Sequence, residues 1–169
     1  GIAEKMKSGL IENCTNTGNL SNPKTDETAA GSVPSQIGGI IGSAYGNLQI
    51  KGCINRGSIT GVFRYRAAGI LSAARNAGNS IESCENYGNI TAFPLVAGLV
   101  VIENSNTVVT ISTSKNVGTL TATVKSAEHV NPVYIYQKVF EKDEADVTIC
   151  DQATKDASAG TVMNITIKE

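Results

Sequence analysis

Ile50-Lys51-Gly52-Cys53-Ile54-Asn55-Arg56-Gly57-Ser58-Ile59 is the stretch on which the reading of the chain turns. From Cys53 onward its distinctive residues occupy alternate positions: Cys53, Asn55, Gly57 and Ile59. Alternation is strand periodicity, with one set of side chains pointing in and the other out. Asn and Gly inside the stretch disfavour helix. The step from Ile50 to Cys53 breaks the alternation and predicts a bend or bulge. A second corner is expected at Asn55-x-Gly57, because Gly adopts positive φ and Asn tolerates it.

The same pattern returns along the chain. Cys84, Asn86, Gly88 and Ile90 repeat it, as do Cys14, Asn16, Gly18 and Leu20. A later copy keeps Asn116, Gly118 and Leu120 but has Ser114 in the Cys slot. Ile11, Ile50, Ile81 and Ile111 precede the four slots at one constant distance. Upstream lies a second block, Gly38-Gly39-Ile40-Ile41-Gly42, echoed from Ala68 to Ser72 and from Ala97 to Val101. The Cys slots are 39, 31 and 30 residues apart. A period of that size marks a repeat architecture, in which each unit buries its apolar face only against its neighbours. Short strands joined at corners, stacked copy on copy, predict an all-β parallel β-solenoid. Like residues then stand about 4.8 Å apart. Asn16, Asn55, Asn86 and Asn116 are expected to form an inward ladder of carboxamides bonding to one another and to corner backbone.

The Gly38–Gly42 block followed by Ile-x-x-Cys-x-Asn-x-Gly-x-Ile resembles the GLUG-type repeats of large bacterial surface proteins, notably those of gut Bacteroidetes. The resemblance covers roughly residues 1–121 and is closest in the second and third copies. It implies an extracellular or cell-surface, adhesin-like protein, and it carries no catalytic residues.

Composition agrees with a β-rich repeat. The 169 residues include 17 Gly, no Trp and few aromatics, and the net charge is −1. Nothing global points to nucleic acid. There is no apolar run long enough for a membrane-spanning helix. No signal peptide is evident, and Gly1-Ile2 reads as the tail of a repeat block already under way or as a cloning scar. The expected organisation is about four ~30-residue repeats over 1–121 and a C-terminal capping β segment over 122–169. Within that segment 132–140, 147–150 and 161–167 read as strands around a turn at 141–144, suited to an antiparallel cap or small terminal sheet.

Two stretches are candidates for contact with a partner. Residues 21–36 interrupt the repeat as a solvated loop. Phe63-Arg64-Tyr65-Arg66 alternates aromatic and basic side chains. Such platforms bind sugars, uronic acids or bases; alternatively, the rings form an outward ladder covering the next corner. Residues 38–81 hold Lys51, Arg56, Arg64, Arg66 and Arg75 and no acid, whereas 125–169 is acidic on balance. The slot between Asn and Gly faces outward by parity and holds Thr17, Arg56, Tyr87 and Val117. Arg56 and Tyr87 should therefore meet as a cation–π pair one coil apart.

Cys14, Cys53 and Cys84 share one inward slot and are read as buried free thiols. Their Cβ vectors would run side by side, which is poor disulfide geometry, and Ser114 shows that a small polar filler suffices. Cys150 stands outside the slots. No CxxC pair occurs and the one histidine, His129, lies outside the repeats, which disfavours zinc. Nucleophile elbows and phosphate loops are missing, so no cofactor is expected and an enzyme is the least supported class. Paired carboxylates of a polysaccharide-acting enzyme are the remaining catalytic option. The expected function is non-catalytic adhesion or structural display at a cell surface, with a glycan or a host matrix protein as partner. A glycan-binding module centred on Phe63, Arg64, Tyr65, Arg66, Arg56 and Tyr87 is the alternative.

Overall fold

The computed structural model describes residues 1–22, 35–103, 107–124, 135–138 and 148–167. Within them the chain is predominantly β, and its parallel sheets have a β-helix-like arrangement. One sheet contains β1 (Ala3–Met6), β6 (Ile41–Ala44), β10 (Leu71–Ala74), β14 (Val100–Ile102) and β18 (Tyr136–Lys138), hydrogen-bonded in that order. The next contains β2 (Gly9–Glu12), β7 (Leu48–Lys51), β11 (Asn79–Glu82), β15 (Val109–Ser112) and β19 (Thr148–Cys150). A narrow third sheet carries the repeat motif in β3 (Thr15–Asn16), β8 (Ile54–Asn55), β12 (Glu85–Asn86) and β16 (Lys115–Asn116). The fourth is built from β4 (Leu20–Asn22), β9 (Ile59–Ala68), β13 (Ile90–Ala97), β17 (Leu120–Val124) and β20 (Met163–Ile167). β5 (Ser35–Gly38) pairs with the second half of β9.

Register follows the repeat. Ile11, Ile50, Ile81 and Ile111 pair in one row, and Leu20, Ile59, Ile90 and Leu120 in another. Ile50, Ile59, Ile81, Ile90 and Ile111 are fully buried, as are Ile40 and Ile70 of the glycine blocks. Burying a side chain of that size is worth roughly 1.5–3 kcal/mol, so the apolar rows drive the stacking.

The asparagine ladder forms as the spacing predicts. Asn55 and Asn86 are 0% exposed. Asn16 Nδ2 donates to Asn55 Oδ1 at 2.7 Å, Asn55 Nδ2 to Asn86 Oδ1 at 2.7 Å, and Asn86 Nδ2 to Asn116 Oδ1 at 2.6 Å. Each Nδ2 also donates to the carbonyl two residues on: Gly18, Gly57, Gly88 and Gly118. The glycine block proves to be the other wall of this ladder. A Cβ on Gly39 would lie 2.5 Å from Asn55 Cγ, and one on Gly69 would lie 2.3 Å from Asn86 Cγ. The two sequence blocks are thus one structural device.

The expected corners need one correction. The step between the Ile and Cys slots is a corner in which Asn13, Gly52, Ser83 and Thr113 all hold positive φ. Gly57 and its equivalents, by contrast, are not left-handed. They are glycines because a Cβ on Gly57 would lie 2.0 Å from the Gly18 carbonyl oxygen of the adjacent coil, and one on Gly88 would lie 2.0 Å from that of Gly57.

The C-terminal segment differs from expectation as well. β18, β19 and β20 pair in parallel with β14, β15 and β17, continuing three existing sheets rather than forming an antiparallel unit. Between β19 and β20 lies α1 (Gln152–Ala157), N-capped by Asp151, whose side chain accepts from the Thr154 N–H at 2.8 Å. The loop expected at 21–36 and the turn at 141–144 fall largely or wholly outside the described residues. Among the described residues no helix is long and apolar enough to cross a membrane.

Candidate functional site

The outward column on the narrow third sheet is where chemistry-bearing side chains meet solvent. β8, β12 and β16 are two residues long. Each buries its Asn and turns the flanking residues outward. The Arg56 guanidinium carbon lies 4.8 Å from the centroid of the Tyr87 ring, the pairing expected from parity. Lys115 Nζ lies 5.2 Å from the same centroid. Lys115 pairs in register with Glu85, and their charged groups are 3.1 Å apart. The Tyr87 hydroxyl first and Lys115 second hold the Glu85 carboxyl below its usual range. Tyr87 first and Glu85 second raise Lys115. Sequence reading placed Arg56 and Tyr87 but not Glu85 and Lys115. The signal was present: the slot between Cys and Asn has the same outward parity. The result is a small amphipathic patch with an aromatic ring beside two cations and one anion, suited to polar, carboxylate-bearing or hydroxylated surfaces.

The aromatic-basic stretch lies in β9, outside the third sheet that carries this patch. Phe63, Arg64 and Tyr65 lie in β9, where Tyr65 is in register with Pro94 on one side and Ser35 on the other; their side chains lie outside the described residues. Arg66 departs from expectation. Its side chain is 15% exposed and forms an ion pair with Glu103, itself 10% exposed. Glu103 Oε2 also lies 2.7 Å from Arg75 Nε, and Glu103 Oε1 accepts from Gln36 Nε2 at 3.1 Å. Ser43 Oγ donates to Gln36 Oε1 at 2.9 Å, and Arg75 Nη1 donates to the Tyr45 hydroxyl at 3.1 Å.

The second halves of β9 and β13 pack with β5 against β10 and β14. Within this arch Arg66 is turned to the Glu103 carboxylate. The acid-free run at 38–81 is therefore compensated from outside itself: Arg66 and Arg75 by Glu103, and Lys51 by Glu82 at 3.2 Å. Sequence reading missed Glu103 because nothing repeats at that position.

Cys14, Cys53 and Cys84 form one row without disulfides. Cys53 and Cys84 are fully buried, whereas Cys14 is only half-buried. Cys53 Sγ donates to the Lys51 carbonyl at 3.3 Å and Cys84 Sγ to the Glu82 carbonyl at 3.3 Å. Ser114 does the same to Ser112 at 2.8 Å, so the slot selects a small donor. The contact with Cys53, followed by burial, pushes the Cys84 thiol up and makes it a poor nucleophile. Among the described residues no group of three or more His, Cys, Asp and Glu side chains is placed to hold a metal; His129 lies outside them. Comparison of the chain with models of protein families, with curated proteins and with solved structures finds no match in any of the three.

Proposed function

We propose that the protein is a non-catalytic module for adhesion or structural display at a cell surface. In this reading it is a short β-solenoid of about four repeats over residues 1–121, closed by residues 122–169. The supporting observation is where the repeat spends its polar groups. Asn16, Asn55, Asn86 and Asn116 donate to one another and to adjacent carbonyls, so the motif that recurs serves cohesion between coils. Recurrence of such a device builds a stiff stack whose outward columns are free to vary, which is what a display surface requires. The surface location rests on the resemblance to GLUG-type repeats.

Binding to immobilised matrix proteins and to a glycan array tests the proposal. Adhesion to a matrix surface without turnover of any polysaccharide supports it. Cleavage of uronic-acid polymers by the purified chain would replace it with an enzymatic function.

A second reading, glycan binding, is favoured by one feature: Tyr87 stands on an outward face with Arg56 and Lys115 at its ring. Retention of a glycan by the parent chain and its loss in Tyr87→Ala would establish that reading. Loss only in the double variant Phe63→Ala, Tyr65→Ala would move the site to β9.

A further inference from the structure

The two ends of the narrow third sheet are finished differently. At the C-terminal end the ladder is closed. Cys84 N–H donates to Ser114 Oγ at 3.0 Å, and Ser114 N–H donates in turn to Thr154 Oγ1 at 2.9 Å, so Thr154 takes the place of the next Cys-slot residue. Asn116 N–H donates to Ser158 Oγ at 3.0 Å and Asn116 Nδ2 to Thr161 Oγ1 at 3.0 Å. Asp151 Oδ2 accepts the Thr113 N–H at 2.9 Å. On the narrow third sheet the donors of Thr113, Ser114 and Asn116 are thus taken by α1 or its flanks, while β18, β19 and β20 are the outer strands of the other three sheets.

Among the described residues the β3 edge has no such finish. β1, β2, β3 and β4 are the outer strands of the four sheets. Among the described residues no donor reaches Asn16 Oδ1, although Asn55, Asn86 and Asn116 all accept at that atom. Ile2 is 48% exposed, whereas Ile40, one coil on, is 0%. Ile11, Cys14 and Leu20 are half-buried, whereas Ile50, Cys53 and Ile59 are 0% exposed. A Cβ on Gly18 would meet nothing closer than Asn16 Oδ1 at 3.8 Å, whereas on Gly57 it would strike the coil beneath at 2.0 Å. Each deficit has the same cause: the coil-to-coil interface continues to this face and stops.

We infer that the face formed by Ile2, Ile11, Cys14, Asn16, Gly18 and Leu20 is a docking surface for one more coil of the same kind, stacked in parallel and in register. Its occupant is a polypeptide segment with asparagine in the ladder slot, glycine two residues on and apolar residues in the Ile slots. The ladder sets the polarity. Each Nδ2 donates toward the C-terminal end, so the arriving asparagine donates to Asn16 Oδ1. A second copy of this chain cannot continue the ladder from either end. Its C-terminal end presents α1, and its N-terminal end would set Oδ1 against Oδ1.

The test fuses a copy of residues 69–97, with its cysteine changed to serine, ahead of Gly1. Ala3 pairs with Ile41, which pairs with Leu71, so Gly1 holds the register position of Gly39 and Gly69 and the fusion continues the coil. Docking should slow alkylation of Cys14 at least about 10-fold and raise Tm by about 5 °C or more. Gly18→Ala in the original chain should leave Tm unchanged because that space is open, yet in the fusion it should abolish both effects. Proteolytic loss of the added segment with Cys14 alkylated at its original rate would overturn the inference. So would a fusion indifferent to Gly18→Ala, or an original chain destabilised by it. An original chain that sediments as a dimer with Cys14 shielded would overturn it in favour of self-association.

Discussion

Among the described residues two polar networks, one buried and one part-buried, are built on opposite principles. The asparagine ladder uses one residue per coil, is neutral, and gives each internal carboxamide a donor from the preceding coil and an acceptor in the following one. The network in the arch uses each residue once. Gln36, Arg66, Arg75 and Glu103 come from different strands and bends, and two guanidiniums share one carboxylate. A repeated neutral network scales with the number of coils, because each addition satisfies the previous one. A single charged network depends on every member, because removing one leaves buried charge uncompensated.

The sharpest way to separate the two is to remove Glu103. Glu103→Ala removes the counter-charge of Arg66 and Arg75, which are 15% and 26% exposed, and should cost about 3 kcal/mol or more in urea unfolding. Replacing all three together by Arg66→Met, Arg75→Leu and Glu103→Leu should recover most of that loss, since an apolar arch needs no counter-charge. A cost below about 1 kcal/mol for the single variant would mean that solvent screens the network.

Asn55→Ala comes next. It takes the acceptor from Asn16 and the donor from Asn86 and the Gly57 carbonyl, at roughly 1–3 kcal/mol. Unlike the arch, this position should not be rescued by Asn55→Leu, because the Gly57 carbonyl still lacks its donor. Equal stability of the Leu variant and the parent would show that the ladder specifies register without stabilising the fold.

A smaller effect is expected in the cysteine row. Cys53→Ser should stay within about 1 kcal/mol of the parent by thermal unfolding, because Ser114 already fills the slot with the same bond to a carbonyl two residues back. A larger loss would make the thiol's apolar bulk, rather than its size and donor, the selected property.

The smallest effect belongs to the surface patch. Glu85 is depressed in the folded protein, so its ionised form stabilises above the usual value of 4.5, and that contribution is lost as pH falls through the lowered value. It should amount to about 0.5 kcal/mol or less, given the exposure of the pair. Glu85→Gln should therefore flatten the stability profile below about pH 4.5 and forgo that same small contribution at neutral pH. A profile that keeps its acid slope in this variant assigns the slope to other carboxylates.

What could be read from the sequence divides along the same line. Rows recurring with the period were legible: the Ile slots, the inward Asn, the bend before the Cys slot, and Arg56 over Tyr87. Gly57 does stand at the expected corner, but the reason for glycine there was misread, since sequence spacing cannot tell a glycine that needs positive φ from one that lets another backbone approach. Arg66 was read as outward because its neighbours look like a surface motif. Its inward turn depends on Glu103, an unrepeated residue brought close only by the arch. The parallel pairing of β18, β19 and β20 was hidden for a related reason. There the stack is continued by sequence that has lost the motif, with Thr154, Ser158 and Thr161 supplying hydroxyls where the repeat supplies its own.

The central claim is that successive copies stack in register through Asn55 and Asn86, and side-chain amide hydrogen exchange measured by NMR addresses it most directly. Both carboxamide groups should exchange only through global unfolding, with cross-relaxation between the Asn55 amide protons and the Asn86 side chain. Exchange of either group at the rate of an exposed asparagine, or absence of that contact, would contradict the stacked arrangement.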